Sequence, residues 1–260
     1  MPRFSLCIEM CYKQEAPDLT GRIALAKAAG FKTVEFWSLA NKDLDAIESA
    51  RKAAGAEISL FGFKAPKTLV EGNDQAGIAE AVKLHLEASK KLGGVKRWVI
   101  TTGNTLKDVP HDKQRQSVID DLRRVAEKID GTGILLCLEP LNTLVNHKGY
   151  FLDKTADAVS IVEAVGHPQI KILHDIYHMQ IMEGNLIETI RWAMPHIGHF
   201  HTADVPGRYE PGSGEINYAN VFKVIDELNF DGYVGLEFRP PDTSEAAVKR
   251  FWERYGSMSK

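Results

Sequence analysis

Eight short apolar runs of strand character recur along the chain, with helical patterns between them. This alternation limits the possible folds more than any other feature. The runs are Ser5–Met10, Thr33–Trp37, Ile58–Phe63, Trp98–Thr102, Ile134–Glu139, Ile170–Asp175, His199–Asp204 and Tyr233–Phe238. Several are apolar on both faces, as in Ile134–Leu138 and Tyr233–Leu236, which suits strands covered on both sides in a parallel sheet. Between them apolar residues fall at helical spacing: Leu19, Ile23 and Ala26, ended by Gly30; Val118, Leu122, Val125 and Ile129; Ala158, Ile161, Val162 and Val165, closed by Gly166; Leu186, Ile190 and Ala193, stopped by Pro195; and Tyr218, Val221, Ile225 and Leu228, with Asn217 as N-cap. Eight such units in 260 residues predict an α/β fold, a (β/α)8 TIM barrel with a single domain over residues 1–260. The alternative is an open, doubly wound sheet. That fold usually carries a glycine-rich turn after its first strand, and Ser5–Tyr12 has no glycine.

In such a barrel the chemistry sits where strands end and the following loops begin. Strand five ends in Glu139-Pro140, strand six in Asp175 and strand eight in Glu237; strand seven carries His201. These four groups come from adjacent strands and converge on the mouth. Three carboxylates in a small apolar mouth need a cation to offset their repulsion. Oxygen-dominated ligation with one imidazole suits Mn²⁺ or Mg²⁺, with Co²⁺ a third candidate, better than a structural zinc. Glu139, Asp175, His201 and Glu237 are therefore the expected metal ligands. His178, in the loop expected beyond strand six, is placed at the rim as a substrate contact. Arg208 sits in the Pro206-Gly207-Arg208 turn and can hold an anionic or hydroxyl-rich substrate, or else pair with Glu210. Gly207, Gly212 and Gly214 let that loop turn sharply, as a lid or as an ordinary loop.

Other polar residues have structural readings. His174 alternates away from Asp175 toward the helices. His199 shares the face of His201 but lies deeper, as a core histidine. Cys137 fills a barrel layer, and Cys7 and Cys11 pack in the core. Lys113–Lys128 reads as a solvated helix face, and Lys64–Asp74 as an insertion that could close over substrate. Glu9 and Glu35 are candidates to line the pocket from strands one and two.

A net charge of −3 without a basic block disfavours nucleic acid. No run approaches the ~18 apolar residues of a membrane span, and the N-terminal run is too short and polar for a signal peptide. Three cysteines without scaffold spacing point to a reduced, cytoplasmic chain. The expected partner is a small-molecule substrate.

At these residues the chain resembles the sugar isomerase/epimerase TIM barrels, the xylose isomerase-like superfamily that includes hydroxypyruvate isomerase, ketose 3-epimerases and endonuclease IV. The likeness is sharpest in Leu135–Asn142, Lys171–Leu186, His199–Tyr218 and Gly232–Phe238. It implies a metal-dependent isomerase of the hydroxypyruvate isomerase kind, with Glu139 and Glu237 as an acid–base pair as well as ligands, and His178 and Arg208 as substrate contacts. It also implies homo-oligomers, since members are often dimers or tetramers. Two residues depart from the hydroxypyruvate isomerase pattern. Histidine at 201, where those enzymes have glutamine, is the habit of ketose 3-epimerases, and Phe61–Pro66 lacks the His-Asn pair of hydroxypyruvate isomerases. An abasic-site nuclease is the remote alternative, but Gly207 and Tyr209 stand where its Asp and His ligands would align.

Overall fold

The computed structural model describes residues 1–259. Eight parallel strands close into a barrel in chain order: β1 (Arg3–Cys7), β2 (Thr33–Phe36), β3 (Glu57–Gly62), β4 (Arg97–Ile100), β5 (Leu135–Leu138), β6 (Ile170–Asp175), β7 (Ile197–Thr202) and β8 (Tyr233–Leu236). Closure is made by β1, which pairs with β2 on one side and with β8 on the other. The helices outside are α1 (Leu19–Ala28), α2 (Leu44–Ala54), α3 (Gln75–Lys91), α4 (His111–Ile129), α5 (Thr155–Val165), α6 (Ile176–Met182), α7 (Leu186–Ala193), α8 (Tyr218–Glu227) and α9 (Ser244–Tyr255).

The ladders are shifted or shorter than the apolar runs that announce them. β1 stops at Cys7 because the amides of Met10 and Cys11 turn back onto the Cys7 carbonyl, at 3.3 and 3.1 Å. β7 begins at Ile197, two residues before the expected start. Glu139 and Glu237 consequently lie one residue past their strands, yet still aligned by them. Glu139 N–H donates to Ile100 O and Glu237 N–H to Thr202 O, both at 3.0 Å.

Side-chain caps set several helix starts. Asp43 accepts from the amides of Asp45 and Ala46, and Asn217 accepts from Asn220 as its position predicts. The Asp175–Gln180 stretch is not a loop: Asp175 caps α6 through the amides of Tyr177 and His178, at 2.8 and 3.2 Å. α4 is not simply a solvated face either. Its Asp121 is buried, bonded to the amide and side chain of Asn73, and its Gln114 is buried against loop carbonyls.

Inside the barrel Cys137 packs with Leu60, Val99 and Leu173 as a layer. Cys7, Cys11 and Cys137 are all free and buried. The larger apolar core lies between strands and helices. Where β2 and β3 end, the chains touch: a Cβ on Gly62 would stand 1.9 Å from the Trp37 carbonyl oxygen, so only glycine fits. No helix among the described residues is long and apolar enough to cross a membrane.

Residues 64–74 are tied down. Val70 N–H donates to Thr102 O at 3.1 Å, and Lys67 N–H to Asn73 Oδ1 at 2.8 Å. At the loop's start, His85 Nε2 accepts from Lys64 N–H at 3.3 Å while Nδ1 donates to Ala81 O at 2.7 Å. Only the neutral ring can do both. Burial holds this histidine below its ordinary pKa. The unfolded chain therefore binds a proton that the native chain refuses once pH falls below about 6.5. Chemical denaturation should show stability falling from pH 7 toward pH 5, with a shallower slope in His85→Gln. An unchanged slope in that variant would assign the acid sensitivity elsewhere.

Candidate active site

At the carboxyl end of the barrel Glu139, Asp175, His201 and Glu237 come together, each contributing a ligand atom within 4.8 Å of the others'. All four are buried. The register explains the convergence. Asp175 pairs with His201, and His201 with Gly235, so the imidazole stands between β6 and β8. His201 Nδ1 lies 3.3 Å from Glu139 Oε1 and 3.7 Å from Glu237 Oε2, and makes no hydrogen bond of its own. A buried imidazole nitrogen with no hydrogen bond, close to three carboxylates, fits the donor set of a hard divalent cation.

Electrostatics separate the carboxylates. Burial, then the charges of Glu237 and Asp175, push Glu139 well above the usual carboxylate range despite its contact with His201. Asp175 is raised by burial and by Glu237. Glu237 is also buried, but His201 and Arg208 outweigh that and hold it below its ordinary value. Two neighbouring carboxyls are thus pushed apart, the pattern of an acid–base pair.

Arg208 does not pair with Glu210. Its guanidinium donates to Glu237 and lies over the Tyr177 ring, 5.2 Å from the centroid. Glu210 is instead bound by Arg250 at 2.5 Å. Arg208 has left-handed backbone, φ 60°, which is costly for a side chain of this size. It is held there by its N–H to Asp204 O at 3.0 Å and by Arg239 N–H to its own carbonyl at 2.7 Å. Asp204 organises the whole turn, accepting from the amides of Val205, Gly212 and Ile216. The glycine-rich loop after β7 is therefore closed onto a buried carboxylate.

His178 is not a rim residue. It occupies the first turn of α6, 1% exposed. Its Nδ1 lies 3.1 Å from the Asn142 amide nitrogen and 2.6 Å from Asn142 Nδ2. Those two donors leave the proton on Nε2, which faces Asp175 Oδ2 at 3.5 Å. Burial keeps the ring neutral.

His174 points away from the site as expected, into apolar surroundings beside Phe200, with no hydrogen bond on either nitrogen. Glu9 pairs with Lys42 at 2.8 Å. Glu35 does not line the pocket. It lies inside the barrel behind His201, and His199 meets it there, Nε2 to Oε2 at 3.1 Å. Trp37 and Asn142 carried no signal as single letters. Trp37 Nε1 donates to Glu237 Oε1 at 2.5 Å while its ring remains 46% exposed. It also walls a cavity of about 960 Å³ with Leu39, Phe63, Lys64, Ile100 and Thr101. None of the four clustered side chains lines that space; Trp37 touches both it and the cluster.

The model of the xylose isomerase-like TIM barrel family matches residues 23–255. The chain belongs to that family. Hydroxypyruvate isomerase of Escherichia coli is 31% identical, covering 96% of this chain and 98% of its own. A 2-oxo-tetronate isomerase of Cupriavidus necator is 30% identical over 95% and 96%. A crystal structure from Brucella melitensis described as an AP endonuclease of family 2 superposes with TM-score 0.91 at 28% identity, covering 98% and 99%. The curated relatives place this family member among isomerases.

Because Trp37 donates to one of the four clustered side chains, its emission should report a cation held among them. Titrating the metal-free protein with Mn²⁺ should quench part of the tryptophan fluorescence, and Trp37→Phe should remove that part. Equal quenching in the variant would place the ion away from Glu237.

Proposed function

We propose that the protein isomerises a small α-hydroxycarbonyl acid or short sugar, in the manner of hydroxypyruvate to tartronate semialdehyde. The observation that carries this is the convergence of Glu139, Asp175, His201 and Glu237 on one buried point, with Arg208 and His178 beside it. The names of the curated relatives support the same chemistry.

Those four side chains would hold Mn²⁺, Mg²⁺ or Co²⁺. When bound, such an ion polarises the substrate's carbonyl and neighbouring hydroxyl oxygens. The chain's own residues do the rest. Arg208, already in an anionic cluster, presents a planar fork to the substrate carboxylate or hydroxyls. His178 offers Nε2–H as a neutral donor. Glu139, raised toward neutrality by burial, takes the proton from the carbon beside the carbonyl, giving an enediol-type intermediate. A proton returns to the former carbonyl carbon from Glu139 or Glu237, and the hydroxyl proton passes to the former carbonyl oxygen. Atoms and charge balance without a redox partner. Trp37 holds Glu237 from one side through its indole N–H.

Epimerisation at C3 of a ketose is the second reading. His201 in place of glutamine favours it. There Glu139 and Glu237 would act on opposite faces of one carbon. Abasic-site cleavage fits poorly. A multi-metal nuclease needs further ligands, and the other candidate group among the described residues, Glu35, His199 and His201, shares His201 with the first. Phe63 and Thr101–Thr102 follow strands three and four instead of ligands.

Chelation should abolish activity and Mn²⁺, Mg²⁺ or Co²⁺ should restore it in assays spanning hydroxypyruvate, short oxo-acids and C4–C6 ketoses; indifference to chelator would overturn the proposal. Glu139→Gln and Glu237→Gln should each lower kcat by roughly 10²–10⁴-fold with the fold intact. Near-wild-type turnover in either would remove that glutamate from the acid–base pair.

A further inference from the structure

Behind His201, on the side away from the three carboxylates, lies a second buried acid that the proposed reaction does not use. Glu35 is 1% exposed in the barrel interior. Its Oε1 lies 3.0 Å from His201 Nε2. Neither atom makes a standard hydrogen bond, so the contact is a close approach that limits where the ring can stand. Its Oε2 lies 3.1 Å from His199 Nε2 and accepts from Ser59 Oγ at 3.1 Å. Ser59 is itself braced by Ser5, Oγ to Oγ at 2.7 Å. One carboxylate is thus held by two imidazoles and a hydroxyl, and its direction is set.

Two costs are incurred to keep it there. A buried ion pair is often no more stable than apolar residues of the same volume. β8 also carries a glycine where a side chain would collide. A Cβ on Gly235 would stand 2.1 Å from Glu35 Oε1 and 2.8 Å from His201 Cδ2. Glycine weakens a strand interior. Both costs fall at the back of one imidazole.

We propose that Glu35 is the positioning residue of the metal site: packed 3.0 Å behind His201 Nε2, it sets the angle of the ring and so aims Nδ1 toward Glu139, Asp175 and Glu237. This rests on the reading of those four side chains as cation ligands. A ligating histidine works when its other nitrogen is bonded to an acceptor, which sets both tautomer and ring angle. A glutamine at position 201 could likewise present its Oε1 forward and its amide N–H back to Glu35, so the same carboxylate can position either side chain.

The test is calorimetric titration of metal-free protein with Mn²⁺, alongside thermal unfolding. Glu35→Gln should weaken Mn²⁺ binding by roughly 10- to 100-fold. Gly235→Ala leaves every polar group in place but crowds Oε1 and the ring, and should weaken binding in the same direction. His201→Gln should retain binding within several-fold, and adding Glu35→Gln to it should weaken binding again. A Kd for Glu35→Gln within twofold of wild type, with only a lowered melting temperature, would overturn the proposal and leave Glu35 a purely structural residue. Should Glu35→Gln fail to fold, Ser59→Ala, which removes one of the two partners of Glu35 Oε2 without changing charge, should bind severalfold more weakly, and unchanged affinity there overturns the proposal equally. Wild-type protein that binds no Mn²⁺ would instead remove the metal-site reading itself.

Discussion

Three carboxylates and a histidine buried at one point form an arrangement that water cannot relieve. Each carboxylate loses hydration, and each raises the energy of the next. The surrounding structure answers this in several places at once. Arg208 accepts left-handed backbone to bring its guanidinium to Glu237. Trp37 gives an N–H to the same carboxylate. Asp175 spends one oxygen on the first turn of α6. His201 is pinned from behind by Glu35. Much of the loop chemistry at the mouth follows from keeping negative charge in a dry place.

The barrel makes this arrangement rigid. A side chain one residue beyond a short strand inherits the strand's position, because its own amide is still paired to the neighbouring chain. Glu139 and Glu237 are held this way. The loop after β7 would otherwise be mobile on account of its glycines, but Asp204 gathers three of its amides. Rigid placement suits a reaction in which only protons move. The cavity walled by Trp37 is different in character, largely apolar and lined by none of the four clustered side chains.

How far the site could be read in advance varied with the kind of signal. Glu139 and Glu237 stood out because each follows a run that is apolar on both faces, where an acid has little reason to be unless it is used. Asp175 and His201 were legible by their position at strand ends. Strand-end spacing alone makes DIYH a loop with His178 at the rim; the Asp175 cap makes it helix and buries the ring. The place of Glu35 is not legible in the sequence because strand alternation gives a face but not a depth, and a β-bulge between Val34 and Glu35 alters the register there. Arg208 and Glu210 are two residues apart in sequence, yet their partners come from β8 and α9.

By itself the sequence determined the barrel, the strand count, and which four side chains reach the mouth. Periodicity and chain order encode those properties, and both are local. It also carried the family likeness. Tertiary structure alone decided which groups pair across the barrel. Glu35 meets His201 and His199 over 164 and more positions of chain, through space left open by a glycine on β8. Such contacts depend on register and on the absence of a single Cβ, neither of which a linear pattern of apolar and polar residues records.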